Sequence, residues 1–504
     1  MSSDTESSGR LGAPLLRLIA VVLLGGLLGI LNSTMAAVAT PTLADSLNAS
    51  LSTVGWASTG FLLAVTATIP FTTWAVDRFG GRRLWLIGLA IFVAGSLASG
   101  LAWNVGSLIA FRALQGVGAG LLDPLVLILL ARAAGPARAG RVMGLMGVVL
   151  ALGPALGPVS GGAVTEALSW RWMFLLSVPV GLIALVLARR TLPADPPTAD
   201  AGGGVRLDVL GLALLAPGFA GLVLALSQTA EQGTALTWHA WLPLLAGAVL
   251  LLGYGAHAAR LGRTGPARPP LIDLGLFRSR GFSASVTIMG LSGLVNFAAF
   301  FALPLYYQQV HGHGVLAAGL LMAPVGVGGS LAMPVAGRLS DRLGSRGLAA
   351  GGAAAAALCT LALTRVDAGT AELWPAAGGL LLGVSLGFMA APTMGSLYRT
   401  LPAERVAQGS SVLYMLNQLG AALGVAVVTL VVQTSDNVID GVHRSFWLAS
   451  GVLLVILLTI PLLPGPARRS TPVAGGEPAG GEPAVGEVGA GQGTLGQGTP
   501  NAAG

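Results

Sequence analysis

VDRFGGRR, Val76–Arg83, returns in the second half of the chain as SDRLGSR, Ser340–Arg346. Asp77 aligns with Asp341, Gly80 with Gly344 and Arg82 with Arg346. Each copy joins two long apolar runs. A glycine makes the turn tight, an acid can sit near a helix N-terminus, and the arginines face a negatively charged lipid leaflet. One such loop alone is an ordinary basic loop between membrane spans. Two at matching positions mark an internal repeat, and parallel repeats are a transporter architecture.

The surrounding composition agrees. Of 504 residues, 54% are hydrophobic and 9% charged, with mean hydropathy +0.79. A soluble chain is about 25% charged, and this one cannot cover itself with polar groups in water. The apolar runs suit helices crossing a hydrocarbon core of about 30 Å, whereas barrel strands would be about half as long. The first run continues past any short signal core without an Ala-x-Ala site, so it reads as a retained helix. The single cysteine, Cys359, excludes an internal disulfide. All 27 basic residues are arginine. A P-loop needs a lysine, so ATP hydrolysis by that route is excluded.

Fourteen spans are expected, near 15–38, 51–74, 84–102, 106–131, 141–165, 173–189, 209–228, 240–258, 282–306, 315–336, 347–364, 373–397, 406–434 and 445–464. With a cytoplasmic N-terminus, 23 arginines fall on inside segments, and three, Arg171, Arg365 and Arg444, fall outside. Arg112 alone lies within a span. A helix missed early would invert every later loop and spoil that split. The expectation is an all-α integral membrane protein of 14 transmembrane helices, with two six-helix pseudo-symmetric halves and two inserted central helices. Residues 1–14 form a cytoplasmic tail, 15–190 the first half, 191–281 the linkers and helices 7 and 8, and 282–464 the second half. The repetitive Gly465–Gly504 segment is expected to be a disordered cytoplasmic tail.

Span 5 carries GPALGPVSGG (Gly153–Gly162). Gly153, Gly157 and Gly161 share one helix face that permits close approach, with Gly162 beside it, and Pro154 and Pro158 bend the span. Such a helix is either a hinge or a static packing element. RALQGVGAG (Arg112–Gly120) and SWRWMFLLSVPVG (Ser169–Gly181) complete the set. The Asp77, Arg78, Gly80, Arg82 loop, with its copy at Asp341, Arg342 and Gly344, resembles the D-R-x-G-R-[KR] signature of the major facilitator superfamily. With the other motifs, the chain from about residue 15 to 464 resembles the fourteen-helix drug:proton antiporters of the EmrB/QacA type. The resemblance implies alternating access, a conformational-switch role for the repeated loop, and export rather than uptake for the span-5 motif.

Asp123, in GVGAGLLDPLVLILL (Gly116–Leu130), is the one acid expected deep in a span. A carboxylate there costs about 3 kcal/mol on the insertion scale, so it should face protein or a watery cavity. A carboxyl group withdrawn from water can exchange a proton near neutral pH, as proton coupling needs. The other reading is a structural acid bonded to a neighbouring helix or lying near the inner interface. Arg112 is three turns away on the same face, about 16 Å along the axis, too far to pair directly. Gln115 and Ala119 lie between them, so the stripe reads as the lining of a polar pathway. The resemblance implies an acid in span 1, in a pattern like L-D-x-T-x-x-N-V-A-L-P. This chain has LNSTMAAVATP, Leu31–Pro41, with Asn32 at the acid position. Asp123 therefore becomes the leading coupling or cation-binding carboxylate. Asn296, beside Phe297, Phe300 and Phe301, is a further substrate-site candidate, with helix–helix bonding as its other reading. His311 and His313, in HGHG, read as an outer turn.

Three functions compete. An exporter exchanges a small, largely hydrophobic drug or antibiotic for protons. An uptake or facilitative carrier moves a metabolite, which the span-5 motif opposes. A membrane enzyme needs a nucleophile and base, or a metal, at depth, and no histidine lies near mid-span. The expected partners are a small-molecule substrate, protons and the lipid bilayer, with no nucleic acid, cofactor or metal. The expected state is a monomer in the bacterial inner membrane with both termini cytoplasmic.

Overall fold

In hydrocarbon every backbone N–H and C=O must be satisfied within the chain, and long apolar runs answer that by becoming helices. The computed structural model describes residues 12–135, 138–195, 207–234, 236–264 and 270–464. The first half contains α1 (Ala13–Val38), α2 (Thr40–Ser46), α3 (Leu51–Phe79), α4 (Gly81–Gly100), α5 (Val105–Ala134), α6 (Ala139–Ala167), α7 (Arg171–Leu175) and α8 (Ser177–Thr191). Then come α9 (Val209–Gln232) and α10 (Trp238–Thr264). The second half contains α11 (Arg280–Leu305), α12 (Val315–Leu343), α13 (Arg346–Leu363), α14 (Leu373–Thr400), α15 (Val406–Gln433) and α16 (Val438–Thr459).

Among the described residues, thirteen helical segments are long and apolar enough to cross a membrane, α7 and α8 counting as one. The 29-residue α6 is long enough to be a fourteenth. The spans fall where the hydropathy placed them. Two details differ. The sixth span is interrupted at Leu176, and α11 continues as a π-helical turn, Tyr306–Val310, just past Pro304. Proline removes a helix hydrogen bond, and a widened turn re-satisfies the backbone.

Local signals set the ends. Asn104 and Ser107 form a capping box on α5, with the Ser107 N–H donating to Asn104 Oδ1 at 2.8 Å and the Asn104 N–H donating to Ser107 Oγ at 3.2 Å. Gly80 (φ 85°) and Gly344 (φ 88°) end α3 and α12 in a region that disfavours side chains.

The halves meet chiefly through α6 against α12 and α14, and through α15 against α3 and α5. The inserted pair is asymmetric. α9 packs on α3 and on α15, one helix from each half, while α10 packs on α9. The outer face of α10 presents Leu245, Val249 and Leu252. The N-terminal tail before Gly12, most of Thr191–Leu207, the middle of His257–Gly281 and the segment from Gly465 onward lie outside the described residues. So do the side chains of Pro154 and Pro158.

Candidate functional site

A cavity with an empty volume of about 1200 Å³ lies between the halves. α1 and α3 contribute Gly29, Thr34 and Phe61, and α5 contributes Ala119 and Asp123. Opposite them stand Asn296, Phe297 and Phe300 of α11, Met333 of α12, and Tyr414, Asn417 and Gln418 of α15. Most of this wall is apolar, with a few polar groups, the composition of a small-molecule pocket. The Asp123 carboxyl and the Tyr414 hydroxyl line this cavity close enough to act on each other. They face each other from α5 of one half and α15 of the other. Asn417 spends one N–H on the Met289 carbonyl at 3.0 Å. The amides of Asn296 and Gln418 have no hydrogen-bond partner among the described residues and face the cavity. Phe301 leaves the group expected around Asn296 and points outward, 36% exposed.

The stripe on α5 divides in two. Ala119 and Asp123 line the cavity, but Arg112 and Gln115 are sealed inside the first half, 1% and 0% exposed. Arg112 Nη1 donates to Asn32 Oδ1 at 2.7 Å and to Gln115 Oε1 at 2.6 Å. Asn32 Nδ2 donates to Ser177 Oγ at 3.2 Å. The guanidinium carbon lies 4.1 Å from the Phe61 ring centre and 5.6 Å from that of Phe174. No acid faces Arg112 among the described residues, and its Nε and Nη2 have no partner there. The cation is held by amide carbonyl dipoles and two aromatic faces, each face contributing about 2 kcal/mol when desolvated. Because span 1 carries Asn32, the ion pair that an acid would make is absent.

The span-5 glycines sit as their spacing implies. A Cβ on Gly153 would run into Ile30, one on Gly157 into Thr34, and one on Gly161 would lie 3.1 Å from Met35 Cα, so all three face α1. Gly162 faces open space.

The two copies of the repeated loop do different things. Asp341 accepts from the backbone N–H groups of Gly140 (3.1 Å) and Arg141 (3.0 Å), and from Arg399 Nη1 (2.9 Å). It therefore caps the N-terminus of α6, in the other half, where a negative charge is favoured. Asp77 stays in its own half, 3.1 Å from Arg132 Nη2 with both side chains partly exposed. The N-terminus of α4 is instead held by Asp195, which accepts from the N–H groups of Arg82 (2.9 Å) and Arg83 (3.1 Å). Arg78 and Arg342 make no ion pair among the described residues. Buried Thr73 Oγ1 donates to Ser411 Oγ at 2.7 Å, a further bond between the halves. Sequence reading had no signal for Tyr414, Ser177, Ser411 or Asp195. Each is an ordinary residue given its place by a partner far away in the chain.

The model of the Major Facilitator Superfamily matches residues 22–425. The multidrug resistance protein B homolog of Mycobacterium tuberculosis is 36% identical over 439 residues, 86% of this chain and 79% of that protein. The multidrug export protein EmrB of Escherichia coli is 30% identical over 423 residues, 83% of this chain and 80% of that protein. Among solved structures, the human organic anion transporter MFSD10 superposes with TM-score 0.62 at 18% identity, over 89% of this chain and all of that one. The proton:xylose symporter XylE gives TM-score 0.61 at 16% identity, over 88% and 94%. Those two likenesses show the fold. The chain is a multi-pass membrane transporter of the major facilitator superfamily, in the drug:proton antiporter family that includes EmrB.

Proposed function

We propose that this protein exports small, largely hydrophobic compounds across a bacterial cytoplasmic membrane in exchange for protons, as a monomer with both termini inside. Asp123 is the coupling carboxylate. The observation that carries this reading is its place: an acid in an apolar cavity between the halves, with Tyr414 of the other half beside it. The names of the relatives support a drug-like cargo.

The chemistry follows from charge. An ionised carboxylate accepts hydrogen bonds about twice as strongly as a neutral one, so deprotonated Asp123 draws Tyr414, and α15 with it, toward α5. A proton on Asp123 weakens that attraction and frees the halves to part there. A substrate entering the cavity displaces the proton or the tyrosine. Asn296 and Gln418 offer it amides, and Phe297 and Phe300 offer ring faces. The repeated loops at Asp77–Arg82 and Asp341–Gly344 set the balance of conformations, and the Gly153–Gly162 face of α6 lets it slide on α1.

Asp123→Asn tests this in vesicles with an imposed pH gradient. The substitution keeps size and most hydrogen bonding and removes titration. Uphill efflux should fall at least about tenfold, the loss of about 1.4 kcal/mol of driving coupling, while the protein still inserts. Uphill efflux at the unsubstituted rate would make Asp123 a structural acid.

A further inference from the structure

Beside the central cavity lies a second one, of about 640 Å³ empty volume, walled by α9. Leu62 and Thr66 of α3, Leu226 and Ser227 of α9, and Ala422 and Val425 of α15 form most of it. Leu62, Phe297 and Gln418 line both cavities, so a single layer of side chains separates them. The second cavity sits in the C-terminal part of α9, away from the Asp77 and Asp341 ends of α3 and α12. It occupies the seam between α3 and α15 that α9 covers, with Thr59 Oγ1 and Ser227 Oγ 3.2 Å apart tying α9 to α3.

We propose that this side cavity is a binding subsite for the apolar arm of the transported compound, with α9 as its dedicated wall. The inference rests on the exporter reading above, and it names how an amphipathic cargo is seated. The central cavity offers a carboxylate and free amides to a polar or cationic head. A long apolar arm left there would lie against those polar groups. The side cavity offers an apolar wall with small residues, Ala230, Ala421 and Ala422, on facing helices, which leaves room for a chain. Leu62 and Phe297 are rotameric gates between the two spaces. The unspent Gln418 amide stands at their junction and suits a polar atom where head meets arm. The inserted helix pair thus gains a role in recognition, since without α9 this space would be open lipid.

The test uses methyltriphenylphosphonium and decyltriphenylphosphonium, which share a head and differ in the arm. The full-length Cys359→Ser protein carries Ala422→Cys in the side cavity or, as a control, Leu252→Cys on the lipid-facing side of α10. Alkylation by N-ethylmaleimide is followed with and without each compound. The decyl compound should slow labelling at position 422 about tenfold, the methyl compound less than about twofold, and neither should act at position 252. In vesicles, Ala422→Trp should cut export of the decyl compound about tenfold and spare the methyl one. Protection at position 422 without export of either compound would support the subsite and sink the exporter reading. Export of the decyl compound without protection at 422, equal protection by both compounds, or no protection at all would overturn the subsite.

Discussion

Arg112 shows how one substitution elsewhere in a family pattern changes the work of a neighbour. With Asn32 opposite it, the buried cation depends on carbonyl dipoles and on the rings of Phe61 and Phe174. A hydrogen bond to a charged group contributes about 1.5–3 kcal/mol. Asn32→Leu should therefore lower the thermal midpoint of the purified protein, in line with a loss of about 2 kcal/mol, with little surface change to mask it. Asn32→Asp should raise the midpoint, because an acid there completes an ion pair with Arg112. A lower midpoint for Asn32→Asp would mean that the charge is already satisfied by its dipoles. At Asp123 the companion variant is Tyr414→Phe. It keeps the ring, removes the hydroxyl that faces Asp123, and should slow proton-driven efflux by several-fold, about the 1 kcal/mol of one hydrogen bond, a smaller loss than Asp123→Asn causes.

At the scale of elements, α6 carries the clearest prediction. Gly157→Leu should insert normally yet lose most efflux, because a side chain at that position meets Thr34 of α1. Overpacking of this kind costs about 1–3 kcal/mol, enough to lock or separate two helices proposed to slide on each other. Normal efflux by that variant, measured beside its membrane content, would leave the sliding face without support. This face was legible in the sequence because a four-residue glycine spacing is a local property of one helix. The spans were legible for the same reason: hydropathy and arginine placement are one-dimensional. The site was legible only in part. Asp123 stood out by chemistry alone, since an acid among leucines has few uses. That Arg112 and Gln115 turn inward while Asp123 faces the cavity was not legible, because a helix face does not say which neighbour covers which turn. Tyr414 and the side cavity under α9 exist only once distant helices are packed together.

For the whole molecule, the arginine split places tags at Gly202 and Gly265 inside and tags at Gly233 and Gly369 outside. Accessibility in intact and permeabilised cells reads this directly, and labelling of the Gly233 tag only after permeabilisation would overturn the fourteen-helix arrangement. The unequal loops add a second expectation. Asp341 bridges the halves and Asp77 does not, so Asp341→Ala should loosen that end of the molecule. In a Cys359→Ser background, a cysteine replacing Met333, packed against Gly144 and Gly147 of α6, should then react with maleimide several-fold faster, about 1 kcal/mol of closure lost. Asp77→Ala should leave its reactivity nearly unchanged. The buried guanidinium has a last consequence, an electrical one. Among the described residues Arg112 and Asp123 are the two charged groups in the interior of the spans. With Asp123 ionised they sum to zero, and with Asp123 protonated the core carries one net positive charge. A transmembrane voltage is worth about 2.3 kcal/mol per charge per 100 mV across the full bilayer. On the coupling role proposed for Asp123, an inside-negative potential drives the proton-loaded form inward and leaves the empty deprotonated form indifferent, so the resting voltage of the cell, and not its pH difference alone, is expected to power one direction of the cycle.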